Sequence, residues 1–323
     1  MPSTTTVGGG REQRESRRRL GVLGWPVAHS RSPQMHNAAF ASLGMKDWRY
    51  QRLPVPPPLF EETTRSLGAA GFLGANVTIP HKQAALALAD RASLAAREIG
   101  AANTLSFELD GRIVAENTDA AGLIAALAPL DLPGRTALVL GAGGSARAAV
   151  WALVRAGADV SVWNRTFARA EQLAGELGAI AVPAAVSADL LVNCTSVGLE
   201  RHGAEAAESP GNPSSEDSRS SRIPDSAEKG DARSARIPDS ASDEAQLNQL
   251  ELSADQVGRY PYVVDLVYSD AETALLAAAR RAGAQTVDGV EMLVRQGALS
   301  FKLWTGVDPP LDVMRAAAAR RVQ

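Results

Sequence analysis

Cysteine is almost missing: Cys194 is the only one in 323 residues. This excludes an intrachain disulfide and a cysteine-rich zinc site, and it suits a reducing, cytoplasmic setting. Inside the apolar run LLVNCTS, the residue reads as a small buried hydrophobe. Histidine is sparse too. The four, at positions 29, 36, 81 and 202, show no HExxH or comparable spacing, so no metal is expected. His29, His36 and His81 read as structural, with His81 placed beside Lys82 to tune any site there. No apolar stretch reaches the length needed to span a bilayer. Excess positive charge is absent as well. With 33 basic and 36 acidic residues the net charge is -3, which provides no global field for nucleic acid or an anionic membrane. An anionic ligand must therefore be held by a local constellation. The first residues, MPSTTTVGGGREQRESRRRL, lack an apolar core and carry two glutamates, so residues 1–18 read as a disordered tail rather than a targeting signal.

What is present is the balance of a globular chain, 45% hydrophobic and 21% charged, long enough for two domains. The run Leu20 to Trp25 reads as a strand, and after it Ser32 is placed to cap a helix with Pro33 at its first position. Further strands are expected at Trp48 to Val55, Gly71 to Thr78 and Ala102 to Phe107, with alanine-rich helices such as Gln83 to Leu94 between them. Such alternation predicts an open α/β sheet, mainly parallel and covered on both faces. From Asp119 a cleaner β-α-β-α-β series follows, through RTALVL, ADVSVWN and DLLVN, which is half of a doubly wound nucleotide-binding fold. YVVDLV and the helical stretch Ala271 to Ala282 extend it.

Residues 200–256 differ: they are rich in Ser, Asp, Glu, Pro and Arg, lack aromatics, and contain RIPDSA twice, at 222–227 and 236–241. A segment of that composition is expected to be a disordered insertion. The chain closes with DGVEMLVRQGALSFKLWTG, read as an amphipathic helix with Met292, Leu293, Leu299 and Leu303 on one apolar face. DPPLDVMRAAAARR forms a second helix with arginines at its C-terminal end. Both follow the completed nucleotide fold and are expected to return to the first domain. The division is then 19–118 plus 288–323 for one domain and 119–287 for the other.

Gly141, Gly143 and Ala146 fit G-x-G-x-x-A between an apolar strand and a helix, the context that turns a weak motif into a dinucleotide site. Gly141 allows the tight turn, Gly143 lets backbone approach a pyrophosphate, and Ala146 permits close helix packing. The cofactor set expected is Gly141, Ala142, Gly143, Gly144, Ser145 and Ala146, with Asn164, Arg165, Thr166 and Arg169 beyond, and Gly289 late in the chain. About 20 residues past the motif an NAD site carries Asp or Glu. Here Asn164-Arg165-Thr166 stands instead; guanidinium groups attract a 2'-phosphate, so the cofactor is read as NADP. The bland alternative is that Arg165 and Arg169 merely begin a solvated helix.

NVTIPHK, residues 76–82, ends a strand at Pro80 and places Lys82 just past it. The lysine is either a solvated loop-edge charge or an ammonium delivered into a cleft at a strand end. Taken together, GWPVAHSRSPQMHN, GANVTIPHK, GAANTL, ENTDAAG, GAGGSARA, NRTFARA and GVEMLVRQGALSFKLW resemble the shikimate dehydrogenase family, in order, over most of residues 20–310. The resemblance implies reversible NADPH-dependent reduction of the ketone of 3-dehydroshikimate to shikimate, on the route to chorismate and the aromatic amino acids. It implies Ser30, Ser32 and Tyr268 at the substrate carboxylate, Thr78, Asn103 and Gln296 at the ring hydroxyls, and Lys82 with Asp119 as the catalytic pair.

The chemistry agrees. An alkoxide forming at a ketone needs a proton, and a buried lysine beside a carboxylate is poised both to give and to take one. Asp119 has the alternative of a helix N-terminal cap. Ser30 and Ser32, two apart in an extended segment, would point to one side and donate two neutral hydrogen bonds, or else serve turn and cap chemistry. The pattern departs from the family at YSDAET, residues 268–273, which lacks the proline common after this tyrosine, and in the long insertion. Quinate/shikimate dehydrogenase using NAD(P) and a catalytically silent ligand-binding member are the alternatives. A folate-type dehydrogenase gives no reason for the HSRSP serines. The partner expected is a small molecule, with the chain a monomer or homodimer.

Overall fold

The computed structural model describes residues 18–199 and 240–320. The tail read at 1–18 and the repeats of the insertion lie almost wholly outside the described residues. The first half runs β1 (Arg18–Gly24), α1 (Ser32–Ser42), β2 (Trp48–Pro54), α2 (Phe60–Leu67), β3 (Phe72–Val77), α3 (Lys82–Leu88), β4 (Arg91–Ala92), α4 (Leu94–Ile99), β5 (Thr104–Phe107) and β6 (Ile113–Glu116). These six strands form one sheet in the order β2-β1-β3-β5-β6-β4. β1 is parallel to β2 and β3, and β4 to β6, whereas β5 runs antiparallel to both its neighbours. β1 is buried continuously from Leu20 to Gly24, as a central strand covered on both faces must be.

The expected helix Gln83 to Leu94 is two helices. α3 stops at Leu88, Ala89 is extended, and the Asp90 carboxylate accepts from the Ile113 amide at 2.7 Å. Arg91–Ala92 then pairs with β6, and Ser93 caps α4 by accepting from the Ala96 amide at 3.1 Å. Sheet pairing with a distant strand outcompetes the local helix propensity of the alanines.

The second half runs α5 (Asp119–Ala126), β7 (Thr136–Leu140), α6 (Gly144–Arg155), β8 (Asp159–Trp163), α7 (Phe167–Leu177), β9 (Ile180–Ala181), β10 (Leu190–Asn193), α8 (Ser240–Gln249), α9 (Ala254–Val257), β11 (Tyr262–Asp265), α10 (Ala274–Arg281) and β12 (Gln285–Val287). Its sheet is parallel throughout, in the order β12-β11-β10-β7-β8-β9. The chain winds outward from β7 in one direction and from β10 in the other, which opens a crevice between them, as doubly wound sheets require.

The disordered insertion expected over 200–256 is overturned for its last part. Residues 240–249 and 254–257 are helical. Leu247, Leu250, Leu252 and Val257 are buried against Leu138, Leu140, Trp163 and Leu191 on the face of the second sheet opposite α6. Without them that face would leave apolar strand residues in water. Their signal was in the sequence: Ser253 and Gln256 form a capping box, recognisable as S-x-x-Q.

α11 (Gly289–Thr305) and α12 (Leu311–Ala318) leave the second sheet and pack on the first, where Val294, Phe301 and Met314 join Leu20, Met35 and Phe40. The buried face of α11 differs from the one expected. Leu299 and Leu303 are exposed, at 38% and 48%, while Gln296, Gly297 and Ser300 are buried. Polar residues are turned inward here because a polar site lies beneath them. No described helix is long and apolar enough to cross a membrane.

Candidate active site

A cleft of about 140 Å³ lies where the two sheets meet, lined from the C-terminal ends of both. The first sheet contributes Ser30 and Ser32 past β1, Thr78 and Lys82 past β3, and Asn103. The second contributes Asp119, Ser145 past β7, Cys194 past β10 and Tyr268 past β11; Gly289 and Gln296 come from α11. All eight residues expected at the substrate or in catalysis therefore line one cavity.

Lys82 is the first residue of α3, and its side chain is only 11% exposed. Nζ donates to Asp119 Oδ2 at 2.6 Å and to Ser145 Oγ at 2.8 Å. The solvated-charge reading is thereby excluded. Asp119 opens α5, whose N-cap is Thr118, and the carboxylate does not cap the helix. It accepts instead from Lys82 and, at Oδ1, from Asn103 Nδ2 at 2.8 Å, while the helix N-terminus favours its charge. Asn103 also donates to Gln296 Oε1 at 3.2 Å and accepts from the Thr118 amide at 2.7 Å. The carboxylate is thus oriented from two sides before any ligand arrives.

At the other end, Ser30 and Ser32 are 3% and 4% exposed. Ser32 is not the cap expected: it is the first residue of α1, Arg31 occupies the N-cap, and Ser30 Oγ accepts from the Ser32 amide at 3.4 Å. The segment is therefore a turn entering a helix, not extended chain. Ser30 lies close enough to the Tyr268 hydroxyl, and Ser32 to that of Tyr50, to favour the charged form of each phenol. Tyr50 donates to Asn76 Oδ1 at 2.7 Å.

The surroundings are less neutral than the serines alone suggested. Arg52 donates to the Ser30 carbonyl at 2.7 and 3.0 Å, and Arg31 lies behind the Tyr268 ring. Desolvation raises the Tyr268 pKa above the ordinary phenol value, opposed by Ser30 and by the positive charge of Arg31 and Arg52. Tyr50, Arg52, Arg31 and Cys194 were missing from the expected site. Residues 50 and 52 share one face of β2, a period-of-two signal readable once the strand is known; Arg31 was flanked by the two serines.

Of the remaining residues, burial pushes the Cys194 thiol pKa up, which keeps it a neutral lining group. His81 is stacked on Phe60, and its Nε2 pairs with the Val55 carbonyl at 2.7 Å, so it faces away from Lys82. Burial lowers the pKa of His36 to about 3 and holds the ring neutral between aromatic neighbours. Among the described residues no group of three or more His, Cys, Asp or Glu is arranged to hold a metal.

The glycine loop lies on the same cleft. Gly141 has φ +108°, a conformation that L side chains rarely adopt, and Gly143 is the N-cap of α6 with open space where a Cβ would be. Ala146 is fully buried in the sheet core. A Cβ on Gly144 would lie 2.7 Å from that of Lys82, so loop and lysine are in contact. Ser145, expected at the cofactor, is therefore held on Lys82. Asn164 Nδ2 donates to the Thr166 carbonyl at 2.9 Å, and Arg165 and Arg169 are exposed with no carboxylate partner among the described residues. Free amides at a helix N-terminus with guanidinium groups at the next strand end suit a phosphorylated dinucleotide.

Comparison with known proteins accounts for the arrangement. Residues 22–105 match the shikimate dehydrogenase substrate binding domain, 124–196 the shikimate/quinate 5-dehydrogenase model and 289–319 the shikimate 5'-dehydrogenase C-terminal domain. The shikimate dehydrogenase (NADP(+)) of Methanocella arvoryzae is 41% identical, over 92% of this chain and 97% of its own. The chain belongs to the shikimate dehydrogenase family. A second relative bearing that name, from an Anaeromyxobacter species, is 43% identical over 93% of this chain and 95% of its own. Among solved structures, the shikimate 5-dehydrogenase of Thermus thermophilus, in complex with NADP(H) and shikimate, superposes with a TM-score of 0.72 at 38% identity, over 94% of this chain and all of that one. The family resemblance carried by the sequence motifs is thus matched over more than nine-tenths of the chain.

Proposed function

We propose that this protein catalyses the reversible, NADPH-dependent reduction of 3-dehydroshikimate to shikimate, with Lys82 and Asp119 as its acid-base pair. The observation that carries the reading is the 2.6 Å contact between Lys82 Nζ and Asp119 Oδ2 at the wall of a cleft whose far end holds two buried serines and a tyrosine. The Gly141–Ala146 loop and the exposed Arg165 and Arg169 hold the dinucleotide, with Gly289 at the cleft wall. When bound, NADPH supplies the hydride. Ser30, Ser32 and Tyr268 take the substrate carboxylate, and Thr78, Asn103 and Gln296 take the hydroxyls, which leaves the ketone oxygen at Lys82.

Hydride arrival makes that oxygen an alkoxide, and the Lys82 ammonium donates the proton that completes the alcohol. Asp119 compensates the ammonium and aims it, so that the lysine points at the oxygen rather than at solvent. In the reverse direction neutral Lys82 takes the hydroxyl proton. In this reading residues 19–118 with 288–323 bind substrate and 119–287 bind NADP, and closure of the cleft brings the two together. A cytoplasmic location accords with the single buried thiol.

The test is steady-state reduction of NADP with shikimate. Lys82→Ala should lower kcat by roughly 10²-fold or more with KM for shikimate much less affected. An unchanged kcat overturns the role of Lys82; shikimate binding without turnover in the unaltered protein overturns the enzyme reading.

A further inference from the structure

Arg31 is the least expected residue of the site. It is 5% exposed, it does not line the cleft, and it stands between the two serines that do. Its Nη1 donates to the Ala318 carbonyl at 3.1 Å, and its Nη2 donates at 2.8 Å both to the Ser269 carbonyl and to Asp270 Oδ1. Its Cζ lies 5.6 Å from the centre of the Tyr268 ring, over the face. One guanidinium therefore ties the start of α1 to the C-terminal end of α12 and to the loop that follows β11, which belongs to the other sheet.

A buried guanidinium is costly unless every donor it turns inward is met, and these partners are specific. Asp270 stands in the stretch Tyr-Ser-Asp-Ala-Glu-Thr, residues 268–273, which contains no proline. A proline would stiffen that loop through its fixed φ. Without a proline, the two residues after Tyr268 are held by the Arg31 fork, bonded to the Ser269 carbonyl and to the Asp270 carboxylate, and by the Ser269 hydroxyl, which donates to the Ala271 carbonyl. The same side chain lies over the face of the tyrosine ring, and the ring lines the cleft together with Ser30.

We propose that the Arg31–Asp270 ion pair is a positioning clamp that fixes Tyr268 at the substrate carboxylate, doing by charge what a proline does by covalent geometry. The proposal rests on the reading that Ser30, Ser32 and Tyr268 receive that carboxylate. Because the clamp joins segments from the two halves of the molecule, it sets affinity for the acid substrate and leaves the Lys82–Asp119 chemistry and the dinucleotide loop alone.

The experiment uses the full chain and steady-state kinetics with shikimate, with the methyl ester of shikimate, and with NADP. Asp270→Ala should raise KM for shikimate by about tenfold, the scale of losing one well-placed hydrogen bond to a charged group. It should change kcat by less than about twofold and leave KM for NADP unaltered. With the ester, which carries no anionic carboxylate, the ratio of variant to unaltered protein should fall towards one. In a Tyr268→Phe background the Asp270→Ala substitution should add little, because the group it positions is gone. Arg31→Lys, which keeps the charge but not the fork, should raise KM for shikimate as Asp270→Ala does.

An unchanged KM for shikimate in a folded Asp270→Ala variant overturns the clamp, as does an equal effect on the ester or full additivity with Tyr268→Phe. If Asp270→Ala fails to fold, Arg31→Lys and Tyr268→Phe decide by the same ratios. Failure of the underlying reading looks different: the unaltered protein then neither turns over nor binds shikimate, whereas failure of the clamp alone leaves normal, Lys82-dependent turnover in the unaltered protein and in Asp270→Ala.

Discussion

The two sheets bring their strand ends to one cleft by different means. In the second sheet the proposed dinucleotide site is local: β7, the Gly141–Gly143 turn and the start of α6 are contiguous. In the first sheet it is assembled. Lys82, past β3, meets Asp119, 37 residues on, and Asp119 meets Asn103, which in turn meets Gln296, 193 residues away. A backbone site needs only a turn type and a few small residues, so it is compact in sequence. A side-chain site needs charges brought together and desolvated in pairs, so it is scattered.

The largest expected effect falls on the assembled half. Asp119→Asn keeps the shape and removes the charge that compensates Lys82, and kcat should drop by roughly 10²-fold or more, with KM for NADP unaffected. An equal loss in NADP binding would erase the distinction between the halves.

The next effect tests the ordered part of the insertion. Leu247 is 3% exposed against the back of the second sheet. Leu247→Ala should cost about 2–5 kcal/mol of stability in denaturant unfolding, with little change in kcat at a temperature where the variant is folded. No loss of stability would mean that α8 is not part of the core.

A smaller effect is expected at the dinucleotide end. Replacing Arg165 and Arg169 together by alanine should raise KM for NADP about tenfold, leave KM for shikimate unchanged and barely affect the reaction with NAD. An equal loss with both dinucleotides would break the assignment of these arginines to the 2'-phosphate.

The smallest is a pH effect within the second sheet. Burial raises the pKa of Asp265 from 3.8 to about 6, against the opposing donors Thr273, the Val267 amide and Asn193. A carboxyl whose pKa is higher in the folded state stabilises the fold most below its unfolded pKa, and that contribution is lost as pH rises through the folded value. Asp265→Asn should therefore lower the melting temperature most near pH 4, with the deficit narrowing towards pH 7. A deficit independent of pH would show that the carboxyl titrates no differently in the folded chain.

Much of this was legible beforehand because local chemistry repeats in the sequence. The apolar runs of β1, β3, β7 and β10 declared themselves as strands, the glycines marked the nucleotide loop, and the ordered motifs pointed to the family. The misreadings share one cause. The helix expected over Gln83 to Leu94 is broken by pairing between β4 and β6, the helices of 240–257 are held by a sheet face more than 40 residues upstream, and the polar stripe of α11 follows from the cleft beneath it. In each case a contact with something remote outweighs the local preference.

The amino-acid sequence alone determined the two-domain α/β plan and the preference for a phosphorylated dinucleotide, because each rests on residue type at short spacing, and it named the groups proposed to carry the chemistry. Packing in three dimensions decided that Ser145 sits on Lys82, that Asp119 is a partner rather than a cap, and that Arg31 and Asp270 support Tyr268. Those are meetings between segments far apart in the chain, and burial and charge compensation select them only when the sheets are in place.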